Sequence, residues 1–141
     1  MFPGQLDKLR EDVGAGTAEL IHYRRPSDSG VRTSRYTRVP VDGLAMGALL
    51  GDALDVLGTV EKQRRLLLWK TTRIHLDDVA RLGAWVELET VLEGAEPTAE
   101  DRADVDLLVE RLGLDTSALE PRGYLELLRE LTPGRPPSGG A

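Results

Sequence analysis

Apolar and charged residues alternate most cleanly from Gly58 to Leu92, GTVEKQRRLLLWKTTRIHLDDVARLGAWVELETVL. Successive side chains of an extended backbone point to opposite faces, so a period of two sorts them. Lys62 and Arg64 fall on one face of a first strand. Arg73, His75 and Asp77 share a face of a second, with Ile74 and Leu76 opposite. Glu87 and Glu89 share a face of a third, with Val86, Leu88 and Leu92 opposite. Lys70-Thr71-Thr72 and the segment around Arg81-Leu82-Gly83 are short enough to join antiparallel neighbours. The pattern predicts a meander with one apolar face and one ionisable face of both signs.

Upstream, Lys8-Leu9-Arg10 repeats the basic half of that pattern before a turn at Gly14-Ala15-Gly16. Glu19 to Arg25 is a second strand, with Tyr23 and Arg25 on one face and Leu20 and His22 on the other, ended by Pro26. Arg32 to Val39 is a third. Asp42 is an N-cap for a helix to about Leu57, where Gly58 serves as a left-handed stop. Leu44, Leu50, Leu54 and Leu57 recur there at helical spacing and should cover the apolar side of a sheet. Thr98 with Asp101 forms a capping box for a second helix to Leu112, before Gly113. Its acids, Asp104 among them, read as a solvated face. Arg122 to Leu131 is a third helix, and residues 132–141, TPGRPPSGGA, read as a disordered tail after a single domain over 1–131.

A solvated sheet face would be charged in any case, because water lies there. Here, however, the charges group by strand: basic, then mixed, then acidic. A sheet carrying them can also curl around them, leaving its apolar face outside for helices. A lumen of that kind must stay wet or bind something, since an unpaired buried charge costs several kcal/mol. A polyanion with divalent metal matches it.

Composition narrows the classes. With 141 residues and 40% hydrophobic content, the chain has material for one globular core. A net charge of −6 disfavours non-specific binding to nucleic acid or an anionic membrane, and the low aromatic content disfavours base-stacking platforms. There is no cysteine. Nothing reads as a signal peptide or membrane span, so a cytoplasmic location is expected. Arginine outnumbers lysine 15 to 3, yet Lys8 and Lys62 each lie on a strand face beside an arginine. A compact ammonium next to a planar fork is a common arrangement at phosphate sites.

KLRE at 8–11, ELIHYRRP at 19–26, SRY at 34–36, VEKQR at 60–64, TRIHLDDVARLGAWVELETVL at 72–92 and GYLELL at 123–128 together resemble the CYTH superfamily. That superfamily comprises class IV adenylate cyclases, thiamine triphosphatases and inorganic triphosphatases, the triphosphate tunnel metalloenzymes. The block at 72–92 is the specific part, because order, spacing and charge type agree over some twenty residues. The resemblance implies an α+β fold: an antiparallel β-barrel or tunnel with helices packed outside. It implies a phosphate grip of Lys8, Arg10, Arg25, Lys62, Arg64 and Arg73. It also implies an acidic group of Asp77, Glu87 and Glu89, as Mg²⁺ or Mn²⁺ ligands or as orienters of the attacking group.

The chain departs from the family at one point. The family's first strand carries E-x-E-x-K, and no such motif occurs here; Met1 falls where the second strand should begin. The expectation is an N-terminally truncated, open barrel whose free edge invites a homodimer. The function expected is metal-dependent hydrolysis of a small organic or inorganic triphosphate, or cyclisation of ATP. The alternative is a degenerate, non-catalytic module that binds nucleotide or polyphosphate. Arg35, Arg38, Arg65 and Arg81 read as surface charges, and Trp69 and Trp85 as packing residues.

Overall fold

The computed structural model describes residues 5–24 and 33–131, and the side chains of 7–22 and 33–131. Among these residues the strands form two antiparallel three-stranded sheets, accompanied by three α-helices. The α+β class expected from the sequence is observed. Two compact units divide the chain, residues 1–57 and residues 58–141.

In the first unit, β1 (Gln5–Asp12), β2 (Thr17–Arg24) and β3 (Arg35–Val41) pair in sequence order. The register sets Lys8 against Ile21 and Arg10 against Glu19, with Ile21 next to Arg38. Lys8 and Arg10 therefore share a face, as alternation requires. The opposite face carries Leu9, Ala18, Leu20 and Val39. Helix α1 (Gly43–Ala53) lies on that side, and Asp42 caps it by accepting from the Ala45 N–H at 2.9 Å.

The helix comes close to the sheet at two glycines, and of its expected leucine face only Leu50 is half-buried. A Cβ on Gly43 would stand 2.9 Å from Ala18 Cβ, and one on Gly47 would stand 3.5 Å from Leu9 Cδ2. Leu44 is 87% exposed, and Leu54 and Leu57 are exposed as well. The leucine-faced helix to Leu57 is thus corrected. The helix ends at Ala53, and Leu54 is already extended. Gly47, Gly51 and Asp52 are weak helix formers, and no buried leucine face supports propagation beyond them.

In the second unit, β4 (Lys62–Trp69), β5 (Thr72–Val79) and β6 (Gly83–Thr90) form the expected meander, with β5 central. Two-residue and three-residue connections place Lys70 and Arg81 at positive φ, 50° and 72°. Cross-strand rows run Arg64–Asp77–Trp85, Leu66–His75–Glu87 and Leu68–Arg73–Glu89. Because β4 continues through RLLLW, Leu66 and Leu68 also fall on the ionisable face.

Helix α2 (Ala99–Arg111) opens with the Thr98–Asp101 capping box in full and closes on Gly113 at φ 62°. There Leu114 N–H donates to Val109 O and Gly113 N–H to Glu110 O, the double closure that lets glycine end a helix. Asp104, expected on a solvated face, instead accepts from Lys70 Nζ at 2.7 and 3.0 Å. Helix α3 (Tyr124–Leu131) buries Leu127 and Leu128, which join Ile74, Val79 and Leu108 as the buried apolar residues among those described in this unit. Gly58 is not a left-handed stop. A Cβ there would lie 2.5 Å from Leu125 Cδ1, so its bareness admits a side chain of α3. Among the described residues, no helix is long and apolar enough to cross a membrane. Residues 132–141, read as a tail, lie outside those described.

Candidate functional site

The ionisable face of β4–β5–β6 is the candidate site. β5 supplies its middle row because, as the central strand, it is covered on both faces: Ile74, His75, Asp77 and Val79 are all buried. A buried carboxylate in such a place must be paired.

Asp77 is paired closely. Arg64 donates Nε to Asp77 Oδ1 at 2.6 Å and Nη2 to Oδ2 at 2.7 Å, a side-on fork. Tyr124, at the start of α3, donates its hydroxyl to Oδ2 at 2.9 Å, and Lys62 Nζ stands 3.5 Å from the same oxygen. Burial works against the Asp77 carboxylate, but the bonds from Arg64 and Tyr124 and the charge of Lys62 prevail, holding its pKa at about 2. Burial lowers and Asp77 raises the Arg64 guanidinium, with Asp77 prevailing. The Tyr124 hydroxyl is pushed upward, first by burial and then by Asp77.

Glu87 and Glu89 form the second half of the site. His75 is 5% exposed and lies between them, with Nδ1 at 3.9 Å from Glu87 and Nε2 at 3.5 Å from Glu89. Its Nδ1 is buried and makes no hydrogen bond among the described residues. Arg64 reaches Glu87 at 3.6 Å and Arg73 reaches Glu89 at 3.8 Å, both longer than a hydrogen bond. His75 holds Glu87 below the usual carboxylate range against the opposing effect of burial. Both glutamates keep solvent access, with side chains 47% and 30% exposed.

The structure thus brings Lys62, Arg64, Arg73, Asp77, Glu87 and Glu89 onto one face. Lys8 and Arg10 share a face in the other unit, where both are exposed. Arg25 lies outside the described residues. The three acids do not converge: among the described residues, no three His, Asp or Glu side chains gather as a metal-ligating cluster. Asp77 belongs to the Arg64 end, and the two glutamates belong to the His75 end. The donor set at the glutamates suits Mg²⁺, a hard cation commonly held by one or two carboxylates with waters and substrate phosphates completing the shell.

Sequence reasoning missed Tyr124 as a site residue. It stands 47 positions from Asp77, and the helical spacing that placed Tyr124 on α3 says nothing of which strand it meets. Trp85 was expected only to pack. It meets the Tyr124 ring edge-on, with centroids 6.0 Å apart, and donates Nε1 to Leu82 O at 3.2 Å.

The fold has counterparts among solved structures. The PH1012 protein from Pyrococcus horikoshii superposes with a TM-score of 0.79 at 20% identity, over 90% of this chain and 76% of that one. A conserved hypothetical protein from Pyrococcus furiosus gives a TM-score of 0.79 at 17% identity, over 90% and 77%. The PH1819 protein from Pyrococcus horikoshii gives 0.68 at 26% identity, over 90% and 73%. No curated protein matches the chain. The CYTH domain pattern matches residues 9–124, which takes in the whole β4–β6 sheet with its ionisable face and the tyrosine that reaches it, and the chain therefore belongs to the CYTH domain family.

Proposed function

We propose that this chain handles a small triphosphate with a divalent metal, by hydrolysis or, with a nucleotide, by cyclisation. The observation that carries this reading is the ionisable face itself. Lys62, Arg64 and Arg73 come from two strands and stand next to Glu87 and Glu89 of the third. The Arg64–Glu87 and Arg73–Glu89 pairs, at 3.6 and 3.8 Å, are loose enough for phosphate oxygens to take the arginine N–H groups in place of the carboxylates. Lys8 and Arg10, on one face of their own sheet, are proposed as further phosphate contacts.

Once an anion occupies the arginines, Glu87 and Glu89 are the acids positioned to hold Mg²⁺ or Mn²⁺, which supplies neutralisation of the phosphate charge. Arg64 and Arg73 stabilise charge spread over the transferring phosphoryl oxygens, and phosphoryl transfer depends chiefly on stabilisation of that kind. His75 is buried between the two glutamates, with its ring nitrogens 3.9 and 3.5 Å from their carboxylates. Water as nucleophile gives hydrolysis, and a ribose 3′-hydroxyl gives a cyclic nucleotide.

The non-catalytic binding module stays as a second reading on one observation: every acid of the face already has a cationic or imidazole neighbour. Phosphate release and cyclic-nucleotide formation from tripolyphosphate, thiamine triphosphate and ATP, with Mg²⁺ or Mn²⁺, separate the two. Metal-dependent turnover lost in Glu87→Ala and in Arg73→Ala is the expected result. A triphosphate-dependent rise in Tm without turnover would make the chain a binder. Absence of both would overturn the proposal.

A further inference from the structure

We propose that Tyr124 is a positioning residue for the phosphate grip: its hydroxyl locks the Asp77 carboxylate, which in turn fixes Arg64 with one edge toward the anion. The inference rests on the triphosphate reading above and extends it to a helix that lies far along the chain from the strands it serves.

The geometry runs as a chain of donors. Asp77 has four lone-pair directions to satisfy in a site where its side chain has no solvent exposure. Arg64 takes one on each oxygen, and Tyr124 takes another on Oδ2. With both oxygens bonded from different elements, β4 and α3, the carboxylate plane cannot turn about its own bond. A guanidinium held side-on through Nε and Nη2 points its end-on edge, formed by Nη1 and the second hydrogen of Nη2, away from the carboxylate. That edge is planar and matches two phosphate oxygens.

Tyr124 is held in turn. Lys62 Nζ lies 5.2 Å from its ring centroid, and Trp85 meets the ring edge-on. Ring and hydroxyl therefore have separable duties. The ring packs against Lys62 and Trp85, and the hydroxyl sets Asp77. Tyr124→Phe removes the second duty and keeps the first.

Two measurements on the full chain test this, one of which needs no ligand. The Arg64 Nε–H resonance, shielded by its bond to Asp77, should exchange with solvent about tenfold faster in Tyr124→Phe. Calorimetric affinity for tripolyphosphate should fall about tenfold, the loss expected when one hydrogen bond to a charged group stops organising a binding residue. Where turnover is present, kcat/KM should fall by about tenfold as well, because Arg64 acts on the transferring phosphoryl oxygens. Binding by the wild type with both readouts unchanged in Tyr124→Phe would overturn the inference and leave the function standing. Faster exchange at Arg64 in a wild-type background that binds no tripolyphosphate would keep the Tyr124–Asp77–Arg64 tether and remove the function. Weaker binding with Arg64 exchange unchanged would overturn the inference, since Tyr124 would then act on the anion directly.

Discussion

Arg64 and Asp77 face each other across β4 and β5 and meet through two parallel hydrogen bonds of 2.6 and 2.7 Å, with the carboxylate fully buried. Asp77 is also the point where helix α3 is fastened to the sheet, through Tyr124. One ion pair thus ties together a strand, its neighbour and a helix.

Arg64→Lys should not be tolerated as a conservative change. Lysine keeps the charge and loses the fork, leaving Asp77 short of one partner. A loss of about 1.5–3 kcal/mol is expected, on the scale of a hydrogen bond to a buried charge. Urea denaturation of the two proteins measures it; equal midpoints would mean that the pair does not support the fold.

Acid should find the same pair. Asp77 is held at about 2, below its ordinary 3.8. A depressed carboxylate contributes stability that is complete above its unfolded pKa and disappears as pH falls through the folded one. The loss should therefore come between about pH 4 and pH 2, and amount to about 2 kcal/mol. Asp77→Asn should flatten that part of the stability–pH curve. A wild-type-like slope in the variant would assign the acid sensitivity elsewhere.

Two glycines of α1 should respond oppositely to the same substitution. At Gly43 an added Cβ meets Ala18 Cβ at 2.9 Å, an atom with no torsion to move it away, so Gly43→Ala should destabilise by about 1–2 kcal/mol. At Gly51 nothing lies within 4 Å, and Gly51→Ala should stabilise by about 0.5–1 kcal/mol through helix propensity. Thermal melts of both variants decide it, and shifts of the same sign would show that α1 does not rest on β2 through glycine.

Thr98→Ala removes the oxygen that accepts from the Asp101 N–H at 3.1 Å, while Asp101 keeps its bond to the Thr98 N–H at 2.8 Å. Half of the capping box survives, so the cost should be near 1 kcal/mol. Hydrogen exchange confined to the first turn of α2 would report it. No change in exchange there would leave the cap without energetic weight.

The caps were legible because they are local: Asp42 and Thr98 act on backbone groups three residues away. The strands of the second unit were legible because a period of two fixes which residues share a face, and the Arg73–Asp77 and Glu87–Glu89 sets share one as read. The reading of α1 fails at Leu44, Leu54 and Leu57 because leucines at helical spacing do not state whether another element comes to cover them, and the close approach to the sheet falls at Gly43 and Gly47. The site was half legible. Alternation gave its members, but their partition could not be read, since it depends on which side chains cross the sheet and on a helix arriving from residue 124.

Local sequence therefore sets the order of elements, the caps at Asp42 and Thr98, and which charged residues share a strand face. All three follow from interactions within a few residues or from the geometry of a single extended strand. The pairing within that face comes from tertiary contacts: Asp77 with Arg64, Lys62 and Tyr124, and Glu87 and Glu89 around His75. Such pairing is set by cross-strand register and by the docking of α3. Charges in a poorly solvated place must take whichever partners that docking delivers.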